Sequence, residues 1–182
     1  MRNYKAVIET ERLILRYWEL EDADDLYEYA KDPDIGPSAG WPAHKNLEES
    51  KNTIKNILCS PLCYAICLKE NNKPIGSIEL KLATNVTNGD DECEIGYWIG
   101  KPFWGNGYVT EAAKTLIQHA FEDLAMNTIW CCYRDGNEKS KRVQQKCGFE
   151  HHSTDKSYRI KALNETVVRH INVIRKKQWE NR

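Results

Sequence analysis

Apolar and polar residues alternate over Arg12–Trp18, with Leu13, Leu15 and Tyr17 on one side and Arg12, Ile14 and Arg16 on the other, which predicts a first strand. The period then lengthens. Asp22–Lys31 places Leu26, Tyr29 and Ala30 on one face with acids in the first turn, the pattern of a helix. Asp32–His44 is rich in Pro and Gly and cannot continue it, so a loop is expected. Asn46 can cap a second helix over Leu47–Cys59, whose apolar stripe is Leu47, Ile54, Ile57 and Leu58. Leu62–Leu68 and Pro74–Leu82 read as strands joined by the polar turn Lys69–Lys73, and Asn85–Asp91 is a second polar turn.

Glu94–Ile99 is short, aromatic and β-branched, a buried strand stopped by Gly100 and Pro102, and a helix starts near Gly107. Thr128–Tyr133 is a further strand and Glu138–Lys146 a helix that Gly148 ends. Phe149–Thr154 and Tyr158–Leu163 are expected as two short strands. Asn164-Glu165 makes a turn, and Thr166–Arg175 returns as the last strand, closing on Trp179. Hairpins first and a β-α-β-α-β section afterwards predict an α/β fold with a mixed sheet.

At 182 residues the chain is expected to form one domain over residues 1–182. A formal charge of −1 favours neither nucleic acid nor an anionic membrane surface. No apolar run approaches the length of a membrane span, and MRNYKAVIETERLILR lacks the apolar core of a signal peptide. Seven scattered cysteines without a Cys-x-x-Cys pair suggest a reduced, cytoplasmic setting. The five histidines show no metal-ligand spacing, and His151-His152 face opposite sides of a strand, so no metal is expected.

Chemistry concentrates in Glu94–Ala112. A strand there runs into a glycine-broken turn and then a helix, whose first amides lack intrahelical partners and point toward any anion. Gly105 and Gly107 permit backbone conformations closed to other residues. The third position of a dinucleotide fingerprint is Thr110, too large for that role, and no Gly-Lys-Ser/Thr follows to make a Walker loop. The plain alternative is that the two glycines only make a tight turn.

This block, followed by Asn137-Glu138-Lys139-Ser140 and Lys146-Cys147-Gly148-Phe149, resembles the GNAT superfamily of acetyl-CoA-dependent N-acetyltransferases. Thr10-Glu11-Arg12-Leu13, Glu94-Ile95-Gly96-Tyr97-Trp98, Trp104-Gly105-Asn106-Gly107-Tyr108 and Thr110-Glu111-Ala112 resemble the RimJ/RimL branch, which acetylates ribosomal-protein N-termini. The resemblance covers nearly the whole chain and implies the GNAT fold, a mixed and mostly antiparallel central sheet flanked by helices. Of the superfamily's Gln/Arg-x-x-Gly-x-Gly/Ala loop, the matching positions are Trp104, Gly107 and Val109. Trp is usual for this branch at the first of them, whereas Val109 is bulkier than the family's residue.

The resemblance places the CoA pyrophosphate on the amides of Gly105, Asn106, Gly107 and Val109, with Trp104 and Thr110 alongside. It lays the pantetheine arm against the backbone of Trp98 and Ile99, like an added strand on a splayed edge. Amine acetylation also needs a base and a proton for the departing thiolate. Glu94, at the start of the strand, is the candidate base, with Asp91 and Glu92 as rivals and a solvated strand-end acid as the alternative role. Many family members place a tyrosine four residues before the glycine of the Gly-Phe pair. Here that position is Gln144, so attention moves to Ser140, which either hydrogen-bonds the thiolate or merely starts a helix. Asn137 is a cap or a pantetheine ligand. Lys139, Lys141, Arg142 and Lys146 form a basic run that either attracts phosphates or is a solvated helix face. In the acceptor-side segment Asp32–His44, Trp41 and His44 are the candidate contacts.

The acceptor is an amine, either a protein N-terminus or a small amine such as a polyamine or aminoglycoside, and the protein is expected as a monomer or homodimer. Because no cysteine lies in a nucleophile motif, direct attack in a ternary complex is expected rather than an acetyl-enzyme. A non-catalytic CoA-binding module, in which Glu94 and Ser140 are incidental, is the alternative from another class.

Overall fold

The computed structural model describes residues 3–181. In chain order the elements are β1 (Val7–Glu9), β2 (Leu13–Arg16), α1 (Ala23–Ala30), α2 (Gly36–Ala39), α3 (Leu47–Asn56), β3 (Cys63–Leu68), β4 (Pro74–Lys81), β5 (Glu92–Ile99), α4 (Tyr108–Glu122), β6 (Thr128–Arg134), α5 (Glu138–Cys147), β7 (Glu150–Ile160), β8 (Glu165–Arg175) and α6 (Lys176–Glu180). The eight strands form a sheet in the order β1-β2-β3-β4-β5-β6-β8-β7. β5 and β6 are parallel, while β1–β2, β2–β3, β3–β4, β6–β8 and β7–β8 are antiparallel. This is the mixed, mostly antiparallel sheet flanked by helices that the sequence implied. Two compact units divide the chain.

The first unit comprises Lys5–Glu79 and Tyr97–Ala112. Its core gathers Trp18, Leu26 and Ala30 with Ile54 and Leu58, packed on Cys63, Ala65 and Cys67 of β3. Each large aliphatic side chain so buried contributes about 1.5–3 kcal/mol relative to exposure. Asn46 caps α3 as expected, its Oδ1 accepting from the Glu49 amide at 2.9 Å. The expected stripe ends early. The helix closes at Asn56, and Ile57, at the cap with φ −121°, turns outward and is 66% exposed, while Ile54 and Leu58 stay inside. β1 was not anticipated, because three residues are too few for alternation to register. Nor was α2, one turn with Pro37 in its first positions and Gly40 ending it at φ 93°.

The second unit comprises residues 3–4, Leu80–Gly96 and 113–181. Ala113, Leu116, Ile117, Ala120 and Phe121 line one buried face of α4 at helical spacing. Gly148 ends α5 in the left-handed conformation at φ 85°, its amide donating back to the last helical turn. The two short strands expected around Asp155 are a single strand, β7. Its ladder with β8 is irregular between His151 and Ser153 and between Asp155 and Tyr158. The Asp155 carboxylate accepts from the Ser157 amide at 3.0 Å, closing a local turn inside the strand. The break in periodicity is thus a bulge and not a strand end. Beyond β8 the chain turns into α6, where Trp179 packs on Phe121 with ring centroids 5.4 Å apart.

Candidate active site

The turn between β5 and α4 is built by its own sequence. The Gly100 amide donates to the Ile75 carbonyl at 2.8 Å, and a Cβ at Gly100 would stand 2.7 Å from the Tyr29 ring, so no larger residue fits there. A short 3-10 turn, Lys101–Phe103, follows. Trp104 Nε1 then donates to the Ile99 carbonyl at 3.0 Å, folding the turn back on the end of β5. Gly105 and Gly107 adopt φ 80° and 82° before α4 begins at Tyr108. Nothing lies within 4 Å of a Cβ built at Gly105, and at Gly107 only an Arg12 guanidinium nitrogen does, at 3.6 Å. Glycine is therefore required by conformation and leaves a bare backbone surface at the head of a 15-residue helix. Asn106 is exposed and Thr110 half-buried, while the Val109 side chain is buried, so its bulk goes into the protein.

In the same unit, Lys101 Nζ bridges Asp32 at 2.9 Å and Asp34 at 2.6 Å, tying the segment Asp32–His44 to the turn before α4. Trp41 is half-buried, edge-on to Trp98 at 5.8 Å and 5.3 Å from the His44 ring. Trp98 in turn stacks on Trp18 at 6.4 Å. His44 is buried, with Nδ1 2.8 Å from Ser50 Oγ and Nε2 3.4 Å from Thr53 Oγ1. Burial pushes its pKa down, partly opposed by the charge of Glu49.

In the second unit, β5 pairs with β6 through Glu92–Thr128, Cys93–Ile129 and Glu94–Trp130, and both strands run on beyond that last pair. Glu94 is half-buried beside Cys132. Burial first, and the Glu94 charge next, push the Cys132 thiol up to about 12, so it stays protonated and weakly nucleophilic at neutral pH. The rival acids are engaged elsewhere. Glu92 accepts from Trp130 Nε1 at 2.8 Å and from the Asn88 amide at 3.0 Å, and Asp91 accepts from Asn127 at 2.8 Å.

Asn137 caps α5, its Oδ1 accepting from the Ser140 amide at 3.1 Å. The fully buried Gln144 donates its amide to Ser140 Oγ at 3.2 Å and to the Cys132 carbonyl at 3.3 Å, and accepts from Asn172 Nδ2 at 2.8 Å. The bond to Ser140 uses an oxygen lone pair and not the hydroxyl proton. Gln144 marked a departure from the family's tyrosine; only the fold shows what it holds. In the basic run, Lys141 pairs with Glu138 at 3.5 Å while Arg142 and Lys146 are exposed. Among the described residues no group of three or more His, Cys, Asp or Glu is arranged to hold a metal, and no helix is long and apolar enough to cross a membrane. Among the described residues the cysteines form no disulfide, and Cys59 is exposed.

The profile of the family described as "Acetyltransferase (GNAT) domain" matches residues 12–150. The chain belongs to this family of acetyltransferases, and it is an N-acetyltransferase. It is 30% identical over 146 residues to "Uncharacterized N-acetyltransferase p20" of Bacillus licheniformis, covering 78% of this chain and 80% of that protein. It is 37% identical over 98 residues to "Putative ribosomal N-acetyltransferase YdaF" of Bacillus subtilis (strain 168), covering 53% and 52%. Among solved structures, the microcin C7 self immunity acetyltransferase MccE, in complex with acetyl-CoA and AMP, superposes with a TM-score of 0.78 at 23% identity, over 91% of this chain and 93% of that one. That identity carries the fold alone.

Proposed function

We propose that residues 1–182 act as one catalytic domain that transfers acetyl from acetyl-CoA to a protein N-terminal α-amine, in the manner of the RimJ/RimL branch and in the cytoplasm. The observation that carries the donor half is the turn Trp104–Gly107, whose two left-handed glycines open into α4. A pyrophosphate fits there because the turn offers backbone amides and a helix N-terminus without side-chain bulk. Gly105, Asn106, Gly107 and Val109 hold it through main-chain N–H groups, Trp104 and Thr110 border it, and the backbone of Trp98 and Ile99 takes the pantetheine arm. Asn137 contributes to pantetheine binding besides capping α5.

In this reading the acceptor amine loses a proton to Glu94, directly or through water, and its nitrogen forms the bond to the acetyl carbon as the carbon–sulfur bond breaks. The thiolate accepts a hydrogen bond from the Ser140 hydroxyl, and the second proton that the acceptor nitrogen loses as the amide forms passes to the sulfur, directly or relayed through that hydroxyl. The protonated Cys132 favours this direct route over an acetyl-cysteine. Trp41, with His44 behind it, shapes the acceptor side. The name of the YdaF relative, which speaks of a ribosomal N-acetyltransferase, supports a protein amine over a small one.

The test is thiol release from acetyl-CoA with N-terminal peptides of ribosomal proteins beside polyamines and aminoglycosides. Peptide-dependent release is expected. Release with small amines only would overturn the acceptor assignment, and CoA binding without release to any amine would leave a non-catalytic CoA-binding module.

A further inference from the structure

Glu111 lies in the first turn of α4, where the helix dipole favours a carboxylate. It is nevertheless the wrong sign for a turn that must receive a diphosphate. The chain segment before β2 answers it. Thr10 Oγ1 donates to Glu111 Oε1 at 2.6 Å and the Arg12 amide donates to the same oxygen at 2.8 Å. Arg12 Nε donates to Oε2 at 2.7 Å, and Nη2 pairs with Oε2 at 2.7 Å. The other arm, Nη1, donates to the Asn106 carbonyl at 3.1 Å, and the guanidinium lies 4.5 Å from the Tyr108 ring centroid. A Cβ on Gly107 would meet the same guanidinium. One side chain thus touches or adjoins Asn106, Gly107, Tyr108 and Glu111.

We infer that Arg12 is a positioning residue of the donor site: its fork fixes the Asn106 carbonyl relative to α4, so the turn's amides face the ligand, and it neutralises Glu111 beside the phosphates. This rests on the acetyl-CoA reading of the turn. Burial alone would push the Glu111 carboxyl up, but the bonds from Thr10 and Arg12 outweigh it and hold the group below the usual carboxylate range. The carboxylate therefore stays charged at working pH, and the Arg12 guanidinium is the cation paired with it. The Arg12 side chain is 44% exposed, so the ion pair adds little to stability and its removal is compatible with folding. Lysine cannot reproduce the arrangement, because a single ammonium lacks the planar fork that reaches the carboxylate and the carbonyl together.

Calorimetry with CoA on the wild type, Arg12→Met, Arg12→Lys and Arg12→Met/Glu111→Gln, alongside melting curves, tests this. Arg12→Met should weaken CoA binding about tenfold, equivalent to about 1.4 kcal/mol, and raise the acetyl-CoA KM alike, with kcat and the acceptor KM nearly unchanged. Arg12→Lys should fall between, and Glu111→Gln should restore part of the loss by removing the negative charge that Arg12 no longer offsets. A folded Arg12→Met or Arg12→Lys that binds CoA as the wild type does overturns the inference. Absence of recovery in the double variant overturns the charge-neutralising half of it. Wild-type protein that binds no CoA is a different result, which overturns the donor reading itself.

Discussion

Gly107 gives the donor turn its sharpest test. Its φ of 82° lies where an L-residue meets its own carbonyl, at a cost of about 1–2 kcal/mol. Space is not the obstacle, since a Cβ would meet only Arg12 Nη2, at 3.6 Å, the end of a flexible side chain. Gly107→Ala therefore suffers conformational strain alone, and Gly107→Val adds a branched side chain on the bare surface. If the turn keeps its shape, the strain lowers the melting temperature by about 2–8 °C for a chain of this size. If the turn relaxes, the strain disappears and the amides turn away from the ligand. Valine is expected to abolish CoA binding in either case, because its methyl groups occupy the space of the approaching phosphates. Gly148→Ala is the control: its φ of 85° carries the same strain at the end of α5, outside the turn, and should lower stability without changing CoA affinity. Calorimetry with CoA and thermal melts on the same preparations give both quantities. A folded Gly107→Val with wild-type affinity would refute the assignment of the phosphates to this turn.

Three further outcomes follow from the geometry. Ser140→Ala should lower kcat about tenfold while CoA affinity holds, and Gln144→Met should add little to that loss in the Ser140→Ala background if it acts only through Ser140; full additivity in a double-mutant cycle would separate the two. Trp41→Ala should raise the acceptor KM and spare CoA binding, at a stability cost of about 2 kcal/mol, half that of a fully buried tryptophan; unchanged acceptor kinetics in the folded fraction would make Trp41 a packing residue only. Because burial lowers the pKa of His44 from an ordinary 6.5, the unfolded chain binds its proton more readily, so stability is complete above about 6.5 and drains as pH falls below it. Denaturant unfolding at pH 7.5 and 5.5 should show that loss in the wild type and a smaller one in His44→Gln; equal losses would assign the slope to other groups.

Local signals in this chain are the ones that reading by residue recovers. The Asn46 cap, the Gly148 stop and the two glycines of the donor turn each follow from a short-range steric or hydrogen-bonding rule, and all three stand in the structure as expected. The family, and with it the fold and the reaction class, was equally legible, because several motifs stand in one order along the chain. What the sequence could not hold was any relation that joins distant segments. Ile57 satisfied helical periodicity yet faces solvent, since periodicity does not say where a helix stops. The polar interval at Asp155–Ser157 looked like the end of a strand, but pairing with β8 carries the ladder across it as a bulge. Thr10 and Arg12 stand about a hundred positions before Glu111, and Gln144, Cys132 and Asn172 come from three elements. A hydrogen bond between such groups is decided by where the sheet brings the chain back, so only the tertiary structure could show that an arginine before β2 bonds both Glu111 and the Asn106 carbonyl and that a buried glutamine donates to Ser140.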